Sequence, residues 1–162
     1  MGKKMLCIDP GTEASGIVVY DGEKILEVYS SVSNEGVLPL VESARVCGVD
    51  LVLIEMFSSY GMVVGKECFE TCVWIGRFMQ GATVPVKRLF RKDIKLNLCD
   101  STRAKDKNIR QALLDRFPRT GGGKTPQVGT KKQPGPLYGV SSHAWSALAI
   151  GVTWCENPGV AV

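Results

Sequence analysis

The chain has little of what several classes of protein depend on. Its 162 residues include one histidine, and none of the six cysteines belongs to a CxxC pair. Without a CxxC pair and with a single histidine, a structural zinc site is poorly supported, so we expect reduced thiols, buried in apolar segments. No apolar run is long enough to cross a bilayer, and the first residues lead into an apolar strand rather than a secretory leader. We therefore expect a cytoplasmic protein with no membrane partner.

Positive charge is concentrated in one part of the chain. Residues 86–132 contain 14 Lys or Arg against four Asp, whereas the remainder contains six Lys or Arg against 12 Asp or Glu. A basic segment joined to an acidic remainder is typical of a protein that binds a polyanion. The alternative is a solvated surface with unevenly distributed charge. The candidate phosphate-binding residues are Lys87, Arg88, Arg91, Lys92, Arg103, Lys105, Lys107, Arg110, Lys124, Lys131 and Lys132.

Length and hydrophobic periodicity predict a single α/β domain over residues 1–162. The predicted strands are 4–8, 15–20, 24–30, 51–55 and 83–89, and the predicted helices are 37–46, 63–80, 107–117 and 141–155. Short connections make the first three strands antiparallel neighbours, and the helix before the fourth strand makes that strand parallel to the first. The result is a five-stranded mixed sheet with helices on both faces. A Gly-, Pro- and Lys-rich segment at about 118–139 is predicted to be a flexible, basic loop.

Several local features accompany this prediction. Pro85 places the fifth strand at a sheet edge, Asp106 is a candidate N-cap for its helix, and Ser141 or Ser142 is a candidate N-cap for the last helix. The predicted core stripe of the longest helix consists of Val64, Cys68, Cys72, Ile75 and Met79. Phe69 and Val73 fall outside that stripe, and a second apolar patch on one helix suggests a second partner such as another subunit.

Two apolar strands each end in a single carboxylate. Leu6-Cys7-Ile8 is followed by Asp9, and Leu51-Val52-Leu53-Ile54 is followed by Glu55. Asp9 precedes Pro-Gly-Thr, so it could be an ordinary turn residue, but a glutamate at the end of a buried strand needs a partner or water. If the two strands are neighbours, both acids reach one cation. Hard divalent cations such as Mg²⁺ or Mn²⁺ prefer such oxygen ligands.

The last helix offers a third group for this site. His143 and Ser146 are three residues apart and share a face near the helix start. The opposite face contains Ala144, Ala147 and Leu148, small and apolar residues typical of a face that packs against the core. The histidine could also simply cap the helix or lie on its surface without a function, but its position before a nearly all-apolar segment favours a role in the site.

Four motifs in order resemble a known family. Ile8-Asp9-Pro10-Gly11-Thr12 with Gly16 resembles the first motif of the RuvC Holliday junction resolvases, and Ile54-Glu55 resembles their second. Arg103-Ala104-Lys105-Asp106-Lys107 is similar to their basic loop-helix element, and Ser146-Ala147-Leu148-Ala149-Ile150 to the end of the pattern. The resemblance covers about residues 4–155. The long Gly/Lys loop and the stretch at 135–139 are more similar to phage-encoded members, which act in a bacterial host cell.

The resemblance implies a ribonuclease H-like fold, a homodimer, and Mg²⁺-dependent nicking of four-way or branched DNA, with Mn²⁺ able to substitute. It maps catalytic positions onto Asp9, Glu55, His143 and Ser146, with the first three as metal ligands and two metals assisting hydrolysis. DNA contacts fall on Arg103, Lys105, Lys107, Arg110, Lys124, Lys131 and Lys132. RuvC proteins usually carry acids at both positions of the last helix, although histidine is known at the first. Ser146 therefore removes one negative charge. Either the second metal binds weakly, or Asp100 or Asp106 supplies the missing oxygen ligand.

Two other functions compete with this interpretation. One is a ribonuclease of the same fold that processes an RNA precursor. The other is a branched-DNA-binding module with weakened catalysis, which the serine at position 146 suggests. The Asp-Pro-Gly-Thr motif also resembles the phosphate loop of actin-like and sugar-kinase ATPases, but those need two such lobes and 162 residues supply one.

Overall fold

The computed structural model describes residues 2–162. Its strands are β1 (Met5–Asp9), β2 (Ala14–Tyr20), β3 (Ile25–Ser33), β4 (Leu51–Met56) and β5 (Val86–Phe90). Its helices are α1 (Asn34–Glu42), α2 (Lys66–Gly81), α3 (Arg91–Cys99), α4 (Asp106–Leu114) and α5 (Ala144–Glu156), followed by a single 3₁₀ turn at Pro158–Val160. The strands form one mixed sheet in the order β3-β2-β1-β4-β5.

Strand pairing agrees with the prediction. β1 runs antiparallel to β2 and parallel to β4, β2 runs antiparallel to β3, and β4 runs parallel to β5. β5 is an edge strand, as Pro85 indicates, and it begins at Val86 because proline cannot donate to a ladder. The five-stranded mixed sheet is confirmed.

The central strands of the sheet are apolar on both faces, and helices cover each face. Cys7 of β1 and Leu53 of β4 face a core shared with α3, α4 and α5. Ile8 and Ile54, the next residues along, face a second core shared with α1 and α2. Both central strands are therefore buried on both sides, which explains their continuous apolar sequence.

The helix α3 was missed by the sequence prediction, which left residues 90–106 without an element. Only Ile94 and Leu98 of this helix are fully buried, and they lie among charged residues. Two apolar positions four residues apart are too short a stripe to stand out from its polar context. The α3 segment nevertheless places Arg91 directly after β5.

The predicted core stripe of α2 is confirmed at Ile75 and wrong at its other positions. The buried residues are Thr71, Ile75 and Phe78, whereas Met79 is exposed and Cys68 and Cys72 are only partly buried. The stripe is rotated because the helix packs on the sheet through Ile75 and Phe78. Phe69 and Val73 remain largely exposed, as predicted, at 60% and 58%.

Two predicted caps were also wrong. The N-cap of α4 is Lys105, and Asp106 is the first helical residue, where its charge suits the positive end of the helix dipole. The N-cap of α5 is His143, because Ser142 has a left-handed backbone conformation and the helix begins at Ala144. The α1 helix starts at Asn34, three residues earlier than predicted, since the Ser33 hydroxyl accepts a hydrogen bond from the Gly36 N–H.

The segment predicted as a flexible loop follows a path defined by backbone hydrogen bonds. Gly121 N–H donates to the Pro126 carbonyl, and Gly135 N–H donates to the Val128 carbonyl. Gly135 is packed so closely that a Cβ atom there would lie 2.3 Å from the Pro126 oxygen. Leu137 is fully buried against the main core. The predicted mobility of the loop in solution stays a prediction.

Two expectations about the chain as a whole can be compared with residues 2–162. All six cysteines are unpaired, but only Cys7 is buried, and Cys47 and Cys155 are exposed. The expectation of buried thiols was therefore wrong for most of them. In this described range, no helix combines the length and apolar character required to span a membrane.

Candidate active site

The two strand-terminal acids meet at one edge of the sheet. In the parallel ladder of β1 and β4, Ile8 pairs with Ile54, so Asp9 and Glu55 are the next residues on adjacent strands. Glu55 is 8% exposed, and the Asp9 side chain is 15% exposed. The predicted convergence of these two carboxylates is confirmed.

The last helix brings His143 to the same edge. Its Nδ1 atom lies 3.2 Å from an Oδ2 atom of Asp9. Gly16 on β2, which pairs with Asp9 across the antiparallel ladder, allows this approach. A Cβ atom at Gly16 would lie 2.7 Å from the Cβ and the backbone of His143. The glycine of the first motif is therefore required by the packing of α5 against β2.

An arginine and a third acid complete the charged cluster. One guanidinium nitrogen of Arg91 lies 3.4 Å from an Oε1 atom of Glu55. Another nitrogen of the same group forms a short ion pair with Asp106. Sequence reasoning placed Arg91 only among residues that neutralise phosphates. One signal could have indicated a role in the site. Arg91 directly follows β5, and β5 lies beside β4, the strand that carries Glu55.

The charged groups of the cluster shift one another's pKa values. Burial, followed by the charge of Asp9, raises the pKa of Glu55 to about 7, although Arg91 opposes the shift. Burial also raises the pKa of Asp9, while His143 and Arg91 act in the opposite direction. Burial lowers the pKa of Arg91, but Glu55 and Asp106 more than reverse this, so the guanidinium stays charged. Two carboxylates held together in a poorly solvated place favour a bound cation.

Ser146 lies beside this cluster without adding charge to it. It is partly buried, and it lines a cavity of about 450 Å³ together with His143, Asp106 and Lys107. Of the two acids considered as substitutes, Asp106 joins the cluster through Arg91. Asp100 ends α3 in a left-handed conformation and is exposed.

The basic residues predicted to bind DNA are on the surface. Arg110 and Lys107 line the cavity beside His143, and the Arg110 guanidinium lies 5.0 Å from the Trp145 ring centroid. Trp145 was not singled out from the sequence, although aromatic and basic residues together are typical of nucleic-acid contacts. The other five are exposed residues of the loops and the α4 start: Arg103, Lys105, Lys124, Lys131 and Lys132.

The donor set can be tested against a divalent cation. Within residues 2–162, no group of three or more His, Cys, Asp or Glu side chains is arranged to hold a metal ion. Mg²⁺, however, is commonly held by one or two carboxylates, with waters and substrate phosphate as its other ligands. The Asp9–Glu55 pair fits that requirement. His143 as a third ligand stays a prediction, since its Nδ1 atom faces Asp9.

This sheet order, with two acids at the ends of the central parallel strands and helices on both faces, defines a ribonuclease H-like α/β fold. The fold is shared with RuvC from Thermus thermophilus. One such structure, "T. thermophilus RuvC in complex with Holliday junction substrate", has a TM-score of 0.64, 18% identity, and coverage of 97% of this chain and 96% of that chain. Another, "Thermus thermophilus RuvC structure", has a TM-score of 0.64, 17% identity and 97% coverage of each chain. The sequence matches no protein-family model and no curated protein.

Proposed function

We propose that this protein is a Mg²⁺-dependent endonuclease that nicks four-way and related branched DNA, with Mn²⁺ able to substitute. The observation that carries the proposal is the meeting of Asp9 and Glu55 at the ends of adjacent parallel strands. The basic start of α4 lines a cavity together with His143, whose imidazole contacts Asp9. The fold similarity to RuvC, one structure of which is described as a complex with a Holliday junction substrate, supports four-way DNA as the substrate class. A phage origin and a cytoplasmic location remain part of the proposal.

The chemistry proposed is hydrolysis of a phosphodiester bond. A water oxygen bonds to phosphorus, the bond to the 3′ oxygen breaks, and the products are a 5′ phosphate and a 3′ hydroxyl. When bound, Mg²⁺ supplies Lewis-acid polarisation of the phosphate. Asp9 and Glu55 would hold the cation, and their burial reduces the solvent screening of that interaction. A proton taken from the water by His143 would be stabilised by the Asp9 carboxylate, 3.2 Å from the imidazole Nδ1 atom.

The basic residues bind the substrate without reading its sequence. Lys107 and Arg110 neutralise phosphates near the site, and Trp145 offers a surface on which a base can stack. Because such binding releases counterions, affinity falls steeply as salt concentration rises. A homodimer would let two sites act on opposite strands, and the exposed Phe69 and Val73 on α2 are the proposed contact.

Cleavage assays on matched substrates test this function. A four-way junction, a fork, a plain duplex and single-stranded RNA are each incubated with the protein in Mg²⁺ or Mn²⁺. We expect the four-way junction to be nicked fastest, and Asp9→Asn and Glu55→Gln to abolish nicking while junction binding persists. Equal rates on all four substrates would contradict branch selectivity. Preference for RNA would favour an RNA-processing nuclease.

A second candidate rests on Ser146, which supplies no carboxylate beside His143. A chain that binds four-way junctions tightly but nicks none of the substrates in either metal would be a branched-DNA-binding module. In that outcome Asp9→Asn would leave junction affinity within about twofold of wild type, since phosphate contacts dominate affinity.

A further inference from the structure

Arg91 occupies a position where its charge acts on three acids at once. It is the first residue of α3 and follows β5 directly, beside the end of β4 that carries Glu55. Its guanidinium contacts Glu55 and Asp106. Its charge also opposes the rise that burial causes in the pKa of Asp9, so it acts on both strand-terminal acids. The positive charge is therefore central to the cluster, not at its rim.

The cluster lacks the negative charge that two divalent cations would need. Ser146 contributes no carboxylate, and Asp106 is engaged by Arg91. Glu55 follows Ile54 on the strand beside the one that carries Asp9, and its carboxylate contacts Arg91. Two dications and the arginine would bring five positive charges to the three carboxylates of Asp9, Glu55 and Asp106, which is electrostatically unfavourable.

We propose that the Arg91 guanidinium provides the second positive charge of this site, so that the site takes one divalent cation, held by Asp9 and Glu55. This inference rests on the proposed nuclease function. In that reaction Arg91 donates hydrogen bonds to the phosphate as negative charge accumulates during attack by water and departure of the 3′ oxygen. The arginine transfers no proton: the water proton leaves through His143, and the 3′ oxygen is protonated by solvent.

The chemistry of the side chain suits this role. A guanidinium stays charged at any physiological pH and presents five N–H donors in a plane that matches phosphate oxygens. The contacts to Glu55 and Asp106 use two of its nitrogen atoms, and 34% of the side chain is exposed. Because the two acids fix its orientation beforehand, little reorganisation is required when charge develops.

Metal binding tests the inference without any cleavage. Mn²⁺ is titrated into wild type, Arg91→Gln and Arg77→Gln, and bound metal is counted by electron paramagnetic resonance. Arg77 is the matched control, because it pairs with one acid, Glu35, away from the site. We expect one Mn²⁺ per protomer in wild type and about tenfold tighter binding in Arg91→Gln, since a competing charge is removed. Arg77→Gln should match wild type.

Single-turnover cleavage separates a role in the reaction from a structural one. At saturating junction and metal, we expect Arg91→Gln and Arg91→Ala to be slower by about 100-fold, with junction affinity close to wild type. Both variants should remain folded but be less stable, because the buried Glu55 loses its partner. Arg91→Lys should retain part of the rate, because the charge persists. Free guanidinium ions should partly restore Arg91→Ala and leave Arg77→Ala unchanged.

Four outcomes would overturn the inference. Two Mn²⁺ per wild-type protomer, or unchanged Mn²⁺ affinity in Arg91→Gln, would contradict it while leaving the nuclease function intact. A normal rate at saturating junction with weakened junction binding in Arg91→Gln would also contradict it. Arg91 would then only hold Glu55 and Asp106 in place and would not act in the reaction. Absence of Mn²⁺ binding in wild type would overturn the inference and the metal-dependent function together.

Discussion

Gly16 of β2 and His143 at the start of α5 are in direct backbone contact, 127 positions apart in the chain. A Cβ atom on residue 16 would lie 2.7 Å from the Cβ, the carbonyl carbon and the carbonyl oxygen of His143. Neither residue can therefore move independently of the other. Any side chain at position 16 would collide with His143, so the imidazole can lie beside Asp9 only because residue 16 is glycine.

Replacing Gly16 by alanine should displace His143 from Asp9. Overpacking of this kind costs about 1–3 kcal/mol, and we expect both a lower free energy of unfolding and at least about tenfold slower nicking. The matched control is Gly76→Ala in α2, where no atom lies within 4 Å of the added methyl group. That variant should be more stable than wild type by about 0.5–1 kcal/mol, because glycine is unfavourable inside a helix. Urea denaturation and junction cleavage measure both effects, and equal behaviour of the two variants would contradict the packing argument.

The elevated pKa of Glu55 predicts an unusual dependence of stability on pH. In the unfolded chain this carboxyl releases its proton near its ordinary pKa of 4.5, whereas in the folded protein it retains the proton up to about 7. Between these values the folded state binds more protons, so the free energy of unfolding falls as pH rises from 4.5 to 7. The carboxyl therefore favours folding at low pH and opposes it at pH 8.

Glu55→Gln removes that titration. Without divalent cations, we expect the variant to gain up to about 3 kcal/mol relative to wild type between pH 4 and pH 8. Chemical denaturation at the two pH values measures the change. If the free energies of unfolding of variant and wild type differ by the same amount at pH 4 and pH 8, the pKa of Glu55 is not raised by folding.

Adding a carboxylate at position 146 should help the site rather than harm it. Ser146 lines the cavity that contains His143 and Asp106, and Ser146→Asp would supply the charge that the family pattern carries there. We expect nicking in Mg²⁺ to be equal to or faster than that of wild type, most clearly at limiting Mg²⁺. Ser142→Asp adds the same charge to the same cavity and should give no gain. A clear loss of activity in Ser146→Asp alone would show that this position does not face the cation.

The exposed apolar patch of α2 predicts a dimer. Phe69 is 60% exposed, and Val73 follows one helical turn later at 58%. Burying a glutamate in such a contact is costly, so Phe69→Glu should sediment as a monomer at concentrations where wild type is a dimer. Leu96→Glu on α3, also at an exposed apolar position, should leave the sedimentation unchanged. An unaltered dimer in Phe69→Glu would reject this interface.

The parts of the site that strands carry could be predicted from sequence, and the parts that depend on α3 could not. Asp9 and Glu55 each follow an uninterrupted apolar run, which indicates a doubly buried strand and hence the edge at which its last residue lies. Arg91 offers no such signal. Its role depends on β5 lying beside β4 and on a helix whose buried face has only Ile94 and Leu98. The start of α5 was also not predicted, because the sequence does not show that Ser142 takes a left-handed conformation.

The ladder between β1 and β4 has a consequence for how this protein tolerates change. The separation of Asp9 and Glu55 is determined by main-chain hydrogen bonds between parallel strands, which lie about 4.8 Å apart in any sheet. Core substitutions beneath the sheet alter packing but leave this spacing in place as long as the strands pair. Interior side chains could therefore be exchanged while the backbone positions of the two acids stay the same distance apart.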